Sequence, residues 1–379
     1  MQGGPVTVPS ARAPGHHDEV TPVELFFDLV FVFAVSQLSH HLLTHLSWRG
    51  AAETLVLLLA VYAVWFSTSW QAIVIGADEP RTRRMLLTVL LLGLFMNAAV
   101  TGAFAASGWA FVVPLLVIQL GRTSWTLVNA PDAVYREHYV RTLLWLIATT
   151  PLWIVGASVN AEVRLLWWAL AAGIDLIGRG LAHPVPGRRL RSEHVGFAGG
   201  HMLERCRLFL LIALGETVLS TGVAIATASV MLMTVVTGTV ALVGTVALWA
   251  LAFGRAGRLT LQYVETTSDP VRASRHAGDV LTVMVAGLIA VAVANEEVIT
   301  HPREQASTVL SVLLYGGPML FLLAQGWYFS VVLHVQPRLR VIGSVALVLG
   351  GLATLPAPRG VALVLVAASL GIMAILDRP

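Results

Sequence analysis

An all-α fold that crosses a membrane many times is the expectation for this chain, and three observations carry it. Of its 379 residues 56% are hydrophobic and only 12% are charged, with a mean hydropathy of +0.78, outside the range of soluble domains. Apolar runs of roughly 20 residues, enough to cross about 30 Å of hydrocarbon, recur along the whole length. Arginines gather in alternate connections between those runs, as the positive-inside bias requires.

The elements follow in order. Residues 1–21 hold proline, glycine, His16, His17, Asp18 and Glu19 around a lone Arg12, which makes a polar cytoplasmic tail and not a secretory signal with a basic start. Six apolar spans are then expected at 22–45, 52–75, 83–106, 109–128, 139–159 and 162–181. A polar, Pro- and Gly-containing connection at 182–202, with "HPVPGRRLRSEH", divides the chain in the middle. Six further spans are expected at 203–225, 230–253, 277–298, 307–334, 339–355 and 358–376. Arg81, Arg83, Arg84, Arg136, Arg141, Arg188, Arg189, Arg191, Arg255, Arg258, Arg272, Arg275, Arg338, Arg340, Arg378 and the tail's Arg12 then fall on one side, against Arg49, Arg164, Arg303 and Arg359 on the other. That bias places both termini in the cytoplasm of a cell whose inner, cytoplasmic membrane holds the chain. The sequence pI near 9.4 comes from those loops and points to anionic lipid heads of the bilayer, with no case for nucleic acid. Cys206 is the sole cysteine, which excludes an intrachain disulfide and a multi-cysteine metal site; no metal is expected and no cofactor is named by any motif.

The two halves read as copies. "DLVFVFAVSQ", from Asp28 to Gln37, lies over "RLFLLIALGE", from Arg207 to Glu216, with polar ends nine residues apart and apolar residues between. Six spans per unit return the chain to its starting side. The expectation is therefore two parallel six-helix repeats, 22–181 and 203–379, related about an axis along the membrane normal.

The chemistry sits in a few polar residues. Glu24 and Asp28 are spaced i,i+4 and share a helix face, while Gln37 points to the opposite one. In the seventh span His201, Glu204 and Arg205 share a face, and Glu216 returns to it about three turns later. Asp175 and Arg179 make another i,i+4 pair, read as a structural ion pair, with Arg122 at similar depth in the fourth span. His40, His41, His45 and His301 read as interfacial imidazoles, and Glu296 with Glu297 as a solvated doublet. Glu24, His201, Glu204 and Arg179 lie near span ends, where side chains reach the headgroups. Asp28, Gln37, Arg207 and Glu216 lie deeper. An ionised group at mid-bilayer costs about 2.5–3.5 kcal/mol on insertion scales, so Glu216 needs a partner, a proton or water, and Arg205 and Arg207 are the nearest cations in sequence. Glu24 or Asp28 is expected to meet Arg205 or His201 across the two halves.

These residues also carry a resemblance. "ELFFDLVFVFAVSQLSHHL" in the first span, "HMLERCRLFLLIALGE" in the seventh and "YGGPMLFLL" in the tenth are similar to the bacterial low temperature requirement protein A family, and the match extends to Arg122 and Asp175. The resemblance implies a multi-spanning bacterial membrane protein linked by name to growth in the cold, with Glu24, Asp28, His201, Glu204, Arg205 and Glu216 as its polar signature. Where the family commonly has an acidic stretch with an aromatic after the second span, this chain has "IGADEPRTRR"; Cys206 and Arg207 replace an aromatic and a small residue.

Three function classes are compatible with this pattern. A transporter of a small solute or lipid, proton-coupled through intramembrane acids and with Glu24, Asp28, Gln37, Arg122, Asp175, His201, Glu204, Arg205, Arg207 and Glu216 as substrate- or proton-binding residues, is favoured by the duplication. It is also favoured by Gly316, Gly317 and Pro318, where a broken helix would free backbone groups toward a cavity; close helix packing is the other role for those glycines. A membrane-embedded enzyme acting on a lipid or isoprenoid phosphate at the cytoplasmic leaflet would use Glu24, Asp28, Asp175, His201 and Glu204 as acids, bases or ligands. No aspartate-rich diphosphate motif, zinc motif or nucleophile elbow supports it. The third class is a non-catalytic membrane protein of cold adaptation.

Overall fold

The computed structural model of the chain describes residues 20–185, 197–228, 232–267 and 269–377. Most of the expected tail, most of the 182–202 connection, and with them Arg12, Arg188, Arg189, Arg191 and Arg378, lie outside the described residues. Thirteen α-helices are present among the described residues. The first half comprises α1 (Pro22–Thr44), α2 (Trp48–Ile75), α3 (Pro80–Ala98), α4 (Gly108–Val128), α5 (Ala133–Ser158) and α6 (Ala161–Gly180). The second comprises α7 (Gly199–Thr227), α8 (Leu232–Phe253), α9 (Arg255–Thr266), α10 (Pro270–Thr300), α11 (Thr308–Val331), α12 (Arg338–Ala353) and α13 (Arg359–Leu376).

Every expected span is a helix, and among the described residues nine stretches are long and apolar enough to cross a membrane by length and composition. The helices α3, α6 and α12 fall short of that measure. Arg81, Arg83 and Arg84 crowd the start of α3, Glu162, Arg164, Asp175 and Arg179 interrupt α6, and α12 has only 16 residues. Several helices begin before their apolar runs because polar caps satisfy the first N–H groups: Asp132 accepts from Val134 and Tyr135 ahead of α5, Asp269 from Arg272 ahead of α10, and Ser47 from Gly50 ahead of α2. The third span ends earlier than expected, at Ala98, and continues as a 3-10 turn, Val100–Gly102. The helix α9 was not anticipated. It is too short to span, and its exposed Arg255, Arg258, Gln262 and Thr266 form one polar stripe, the pattern of a helix lying at a membrane surface.

Packing follows the same order in both halves. In the first, α1 packs on α2 and α3, α3 on α4, α4 on α5, α5 on α6, and α6 returns to α2. In the second, α7 packs on α8 and α10, α10 on α11, α11 on α12, α12 on α13, and α13 returns to α8. The helix α10 also reaches α1 and α2, so it stands between the halves. Small residues allow this: a Cβ on Gly287 would lie 2.6 Å from the Gly317 carbonyl oxygen, and one on Gly278 would lie inside the Phe66 ring. The α11 helix runs unbroken through Gly316, Gly317 and Pro318, so they make no helix break, and Gly317 serves close packing against α10. Leucine, valine and phenylalanine side chains such as Phe26, Leu29, Leu166 and Ile342 point outward around the bundle, as a lipid-facing surface requires.

Candidate functional site

The capping box of α1 sets the first part of the site. Thr21 accepts from the Glu24 backbone N–H, while Thr21 N and Oγ1 both donate to Glu24 Oε2 at 3.0 Å. That leaves Glu24 Oε1 free to turn inward, where His201 Nε2 lies at 3.0 Å and Arg205 Nη1 donates at 3.3 Å. One turn further along α1, Asp28 Oδ1 accepts from Arg205 Nη2 at 2.5 Å and from Trp65 Nε1 of α2 at 2.7 Å. Glu24, Asp28 and Arg205 have 0% exposure and His201 has 5%. The guanidinium also lies over Phe27, 5.6 Å from the ring centroid. The first helices of the two halves are thus joined by buried charge, and the expected approach of Glu24 and Asp28 to Arg205 and His201 is present. Two carboxylates, one guanidinium and one imidazole are neutral together only when one proton is bound among them, and buried clusters resist net charge.

Other expected partners are arranged differently. Glu204 leaves the cluster and pairs with Arg207 at 2.8 Å, half-exposed, because the i,i+3 spacing is already satisfied on α7. Neither Arg205 nor Arg207 therefore serves Glu216. Glu216 faces Ser36 of α1 and lies within electrostatic reach of Glu296 of α10, while the half-buried Gln37 follows Ser36. Asp175 and Arg179 form no ion pair: Asp175 Oδ2 accepts from Trp153 Nε1 at 3.2 Å, and Arg179 stacks 5.9 Å from the Phe66 centroid. Aromatic neighbours from α5 and α2 outcompete the i,i+4 contact. Arg122 Nη1 donates to Val64 O at 2.9 Å and Thr68 Oγ1 at 2.7 Å, tying α4 to α2. His41 is not interfacial; it is buried, with Nε2 3.2 Å from Glu53 Oε2, and Arg49 closes on the same carboxylate at 2.8 Å. Glu297 is not simply solvated either, since Arg359 reaches it at 3.3 Å.

A cavity of about 620 Å³ opens among the ends of α2, α5, α6 and α10 on the arginine-rich face. Phe66 and Trp70 line one wall, and Arg179, Arg275, Arg272 and His276 line the others. His138 and Tyr139 of α5 and His183, just beyond α6, complete it. The α6 end is held in an unusual conformation: Ala182 and His183 both have left-handed backbone, with φ of 56° and 52°, and the His183 N–H returns to Gly178 O at 2.6 Å. Burial, with His138, Arg179 and Arg141 nearby, holds the His183 imidazole down at about 3, so it is neutral at physiological pH.

Sequence reasoning missed Trp65, Glu53 and this cavity. The T-x-x-E pattern at Thr21–Glu24 was a readable capping signal. Of the cavity's cations, Arg272 and Arg275 carry a signal of membrane sidedness alone and Arg179 that of an ion pair with Asp175, and nothing local marks Trp65 among the aromatics of α2.

A bundle of apolar helices with a buried, charged centre defines a multi-pass helical membrane protein. The family is equally plain. Residues 19–375 match the model of the bacterial low temperature requirement A protein (LtrA), and the chain belongs to that family. It is 30% identical over 332 residues to an uncharacterised protein of Rhizobium meliloti (strain 1021), covering 84% of this chain and 79% of that protein. No solved structure matches.

Proposed function

We propose that the chain is a proton-coupled transporter of a small solute or lipid in the bacterial inner membrane, with both termini in the cytoplasm. The observation that carries this reading is the buried Glu24–Asp28–Arg205–His201 cluster between α1 and α7, which needs one proton for neutrality and bridges the two halves. Further along the same two helices, Ser36, Gln37 and Glu216 continue the polar line toward Glu296 and the opposite face. Polar groups at successive depths along one helix pair suit a path through both leaflets. The matching neighbour order supports two parallel six-helix repeats, 22–181 and 203–379, that rock against each other about this cluster. In this mechanism the cluster is the barrier, and Glu216, with no cation in contact among the described residues, exchanges the proton as α7 moves.

The test is reconstitution into liposomes holding a pH-sensitive dye, challenged with a panel of small solutes. A solute that moves protons through the wild-type protein should lose that coupling in Glu216→Gln, which keeps the shape and removes the titratable proton. Proton-independent solute movement in the wild type would refute the coupling. The second reading, an enzyme acting on a lipid or isoprenoid phosphate at the cytoplasmic leaflet, draws on the cavity with its three arginines and three histidines on one face. Of its candidate acids, Glu24 and Asp28 are wholly enclosed and bound to Arg205, which leaves them out of a substrate's reach. Turnover of a prenyl phosphate that survives Glu216→Gln and fails in Glu204→Gln would favour the enzyme.

A further inference from the structure

We infer that the cavity between α2, α5, α6 and α10 is a binding site for an organic anion, with its phosphate or carboxylate held by Arg179 and Arg275 and its apolar part against Phe66 and Trp70. This inference stands apart from proton coupling and concerns residues that the transport path does not use.

Volume comes first: about 620 Å³ lies within the roughly 300–1,000 Å³ usual for small-molecule sites. Charge comes second. Arg179, Arg272 and Arg275 all line the cavity, and none of them is in ion-pair contact with a carboxylate among the described residues. The acids nearby make no ion pair with them. Asp269 is engaged in capping α10, where it accepts from the Arg272 backbone N–H at 3.0 Å. Asp175 lies within electrostatic reach of Arg179, and Asp279 within reach of both Arg179 and Arg275, but none of these contacts is an ion pair. Guanidinium groups that make no direct ion pair keep N–H donors for a ligand, and their planar fork suits a phosphate or carboxylate.

The residues around this space also carry unpaired polar atoms, enclosed behind its surface. Arg275 Nε, His276 Nδ1, His138 Nδ1 and Tyr139 Oη are all buried without a hydrogen-bond partner among the described residues. Four such atoms around one cavity are an anomaly, since buried polar groups are nearly always paired. The opposite wall explains why the anion is organic. Phe66 and Trp70 stand 5.7 Å apart between ring centroids, and Arg179 already lies over Phe66. An aromatic ring or acyl chain beside the charge would bury against that wall. Free organic phosphates and phospholipid headgroups share this chemistry.

The experiment measures thermal unfolding of the purified full-length protein in detergent with three probes: inorganic phosphate, phenyl phosphate and dihexanoylphosphatidic acid. Phenyl phosphate or the phosphatidate should raise the melting temperature with concentration and bind more tightly than inorganic phosphate. The tighter of the two identifies a free organic anion or a lipid headgroup as the source. Arg179→Gln and Arg275→Gln should each weaken that binding about tenfold or more, the loss of one charge-assisted contact. Arg272→Gln, exposed at the mouth and unable to upset the core, should weaken it less. Trp70→Ala should remove the advantage over inorganic phosphate. Equal binding of inorganic phosphate and both organic probes, no binding of any, or binding unchanged in Arg179→Gln and Arg275→Gln would overturn the assignment; so would unchanged binding in Arg272→Gln if the two core variants do not fold.

Discussion

At the scale of the residue, Arg205 has the largest consequence. It contacts both Glu24 and Asp28, so its removal leaves two buried carboxylates with only the His201 imidazole beside Glu24. Breaking a buried pair from one side costs about 3–5 kcal/mol, and Arg205→Leu should lower the unfolding midpoint accordingly. Asp28→Asn keeps an acceptor for Trp65 and Arg205 and should cost clearly less. Joining Asp28→Arg to Arg205→Asp should recover part of what each single change loses; equal stability of all four proteins would show that the contact contributes nothing. His183 supplies a pH effect of definite sign. Its pKa is 6.5 ordinarily and about 3 in the fold, so the unfolded chain takes up the proton first as pH falls. Its stabilising contribution is complete above about pH 6.5 and is lost progressively toward pH 3. The difference in melting temperature between wild type and His183→Gln should shrink over that interval; a constant difference would refute the linkage.

At the scale of the element, the contact between α10 and α11 is a backbone-to-backbone approach. A methyl group on Gly287 would meet the Gly317 carbonyl at 2.6 Å and the Phe321 nitrogen at 3.3 Å, neither of which can swing aside. Gly287→Ala should therefore destabilise by about 1–3 kcal/mol, as overpacking does. Gly121→Ala in α4, with nothing within 4 Å, should be neutral or slightly stabilising, as glycine-to-alanine changes inside helices are. Comparable losses in both would mean that general helix propensity, not this crossing, governs the effect. Helices were readable in advance because a bilayer imposes one length and one polarity on each span. Their ends were less so, because caps such as Asp132 and Asp269 extend helices into polar sequence. The amphipathic α9 was missed for a related reason: a search for long apolar runs passes over a short helix with one polar stripe.

At the scale of the whole molecule, legibility depended on whether the polar residues of a site show a spacing within one helix. Glu24 and Asp28 on one helix and His201 and Arg205 on another announced themselves through spacing and through polar ends shared by the two halves. The cavity did not, because Trp70, Tyr139, Arg179 and Arg275 come from four helix ends that only the tertiary fold assembles. Glu53 was hidden likewise, since its partner His41 lies across a turn. Orientation has its own check. In a background with Cys206→Ala, a cysteine at exposed position 136 should be labelled only from the cytoplasmic side and one at exposed position 49 only from the opposite side. Labelling of both from one side would break the alternating arrangement. The Gly287–Gly317 crossing has a mechanical corollary. Two helices that meet backbone to backbone have no compliant side chains between them, so α10 and α11 travel together or not at all. One end of α10 forms a wall of the arginine-lined chamber, and its flank abuts both α1 and α7. A guest that fills the chamber would act as a wedge behind a stiff lever, and the strain would arrive at the salt-bridged seam between α1 and α7.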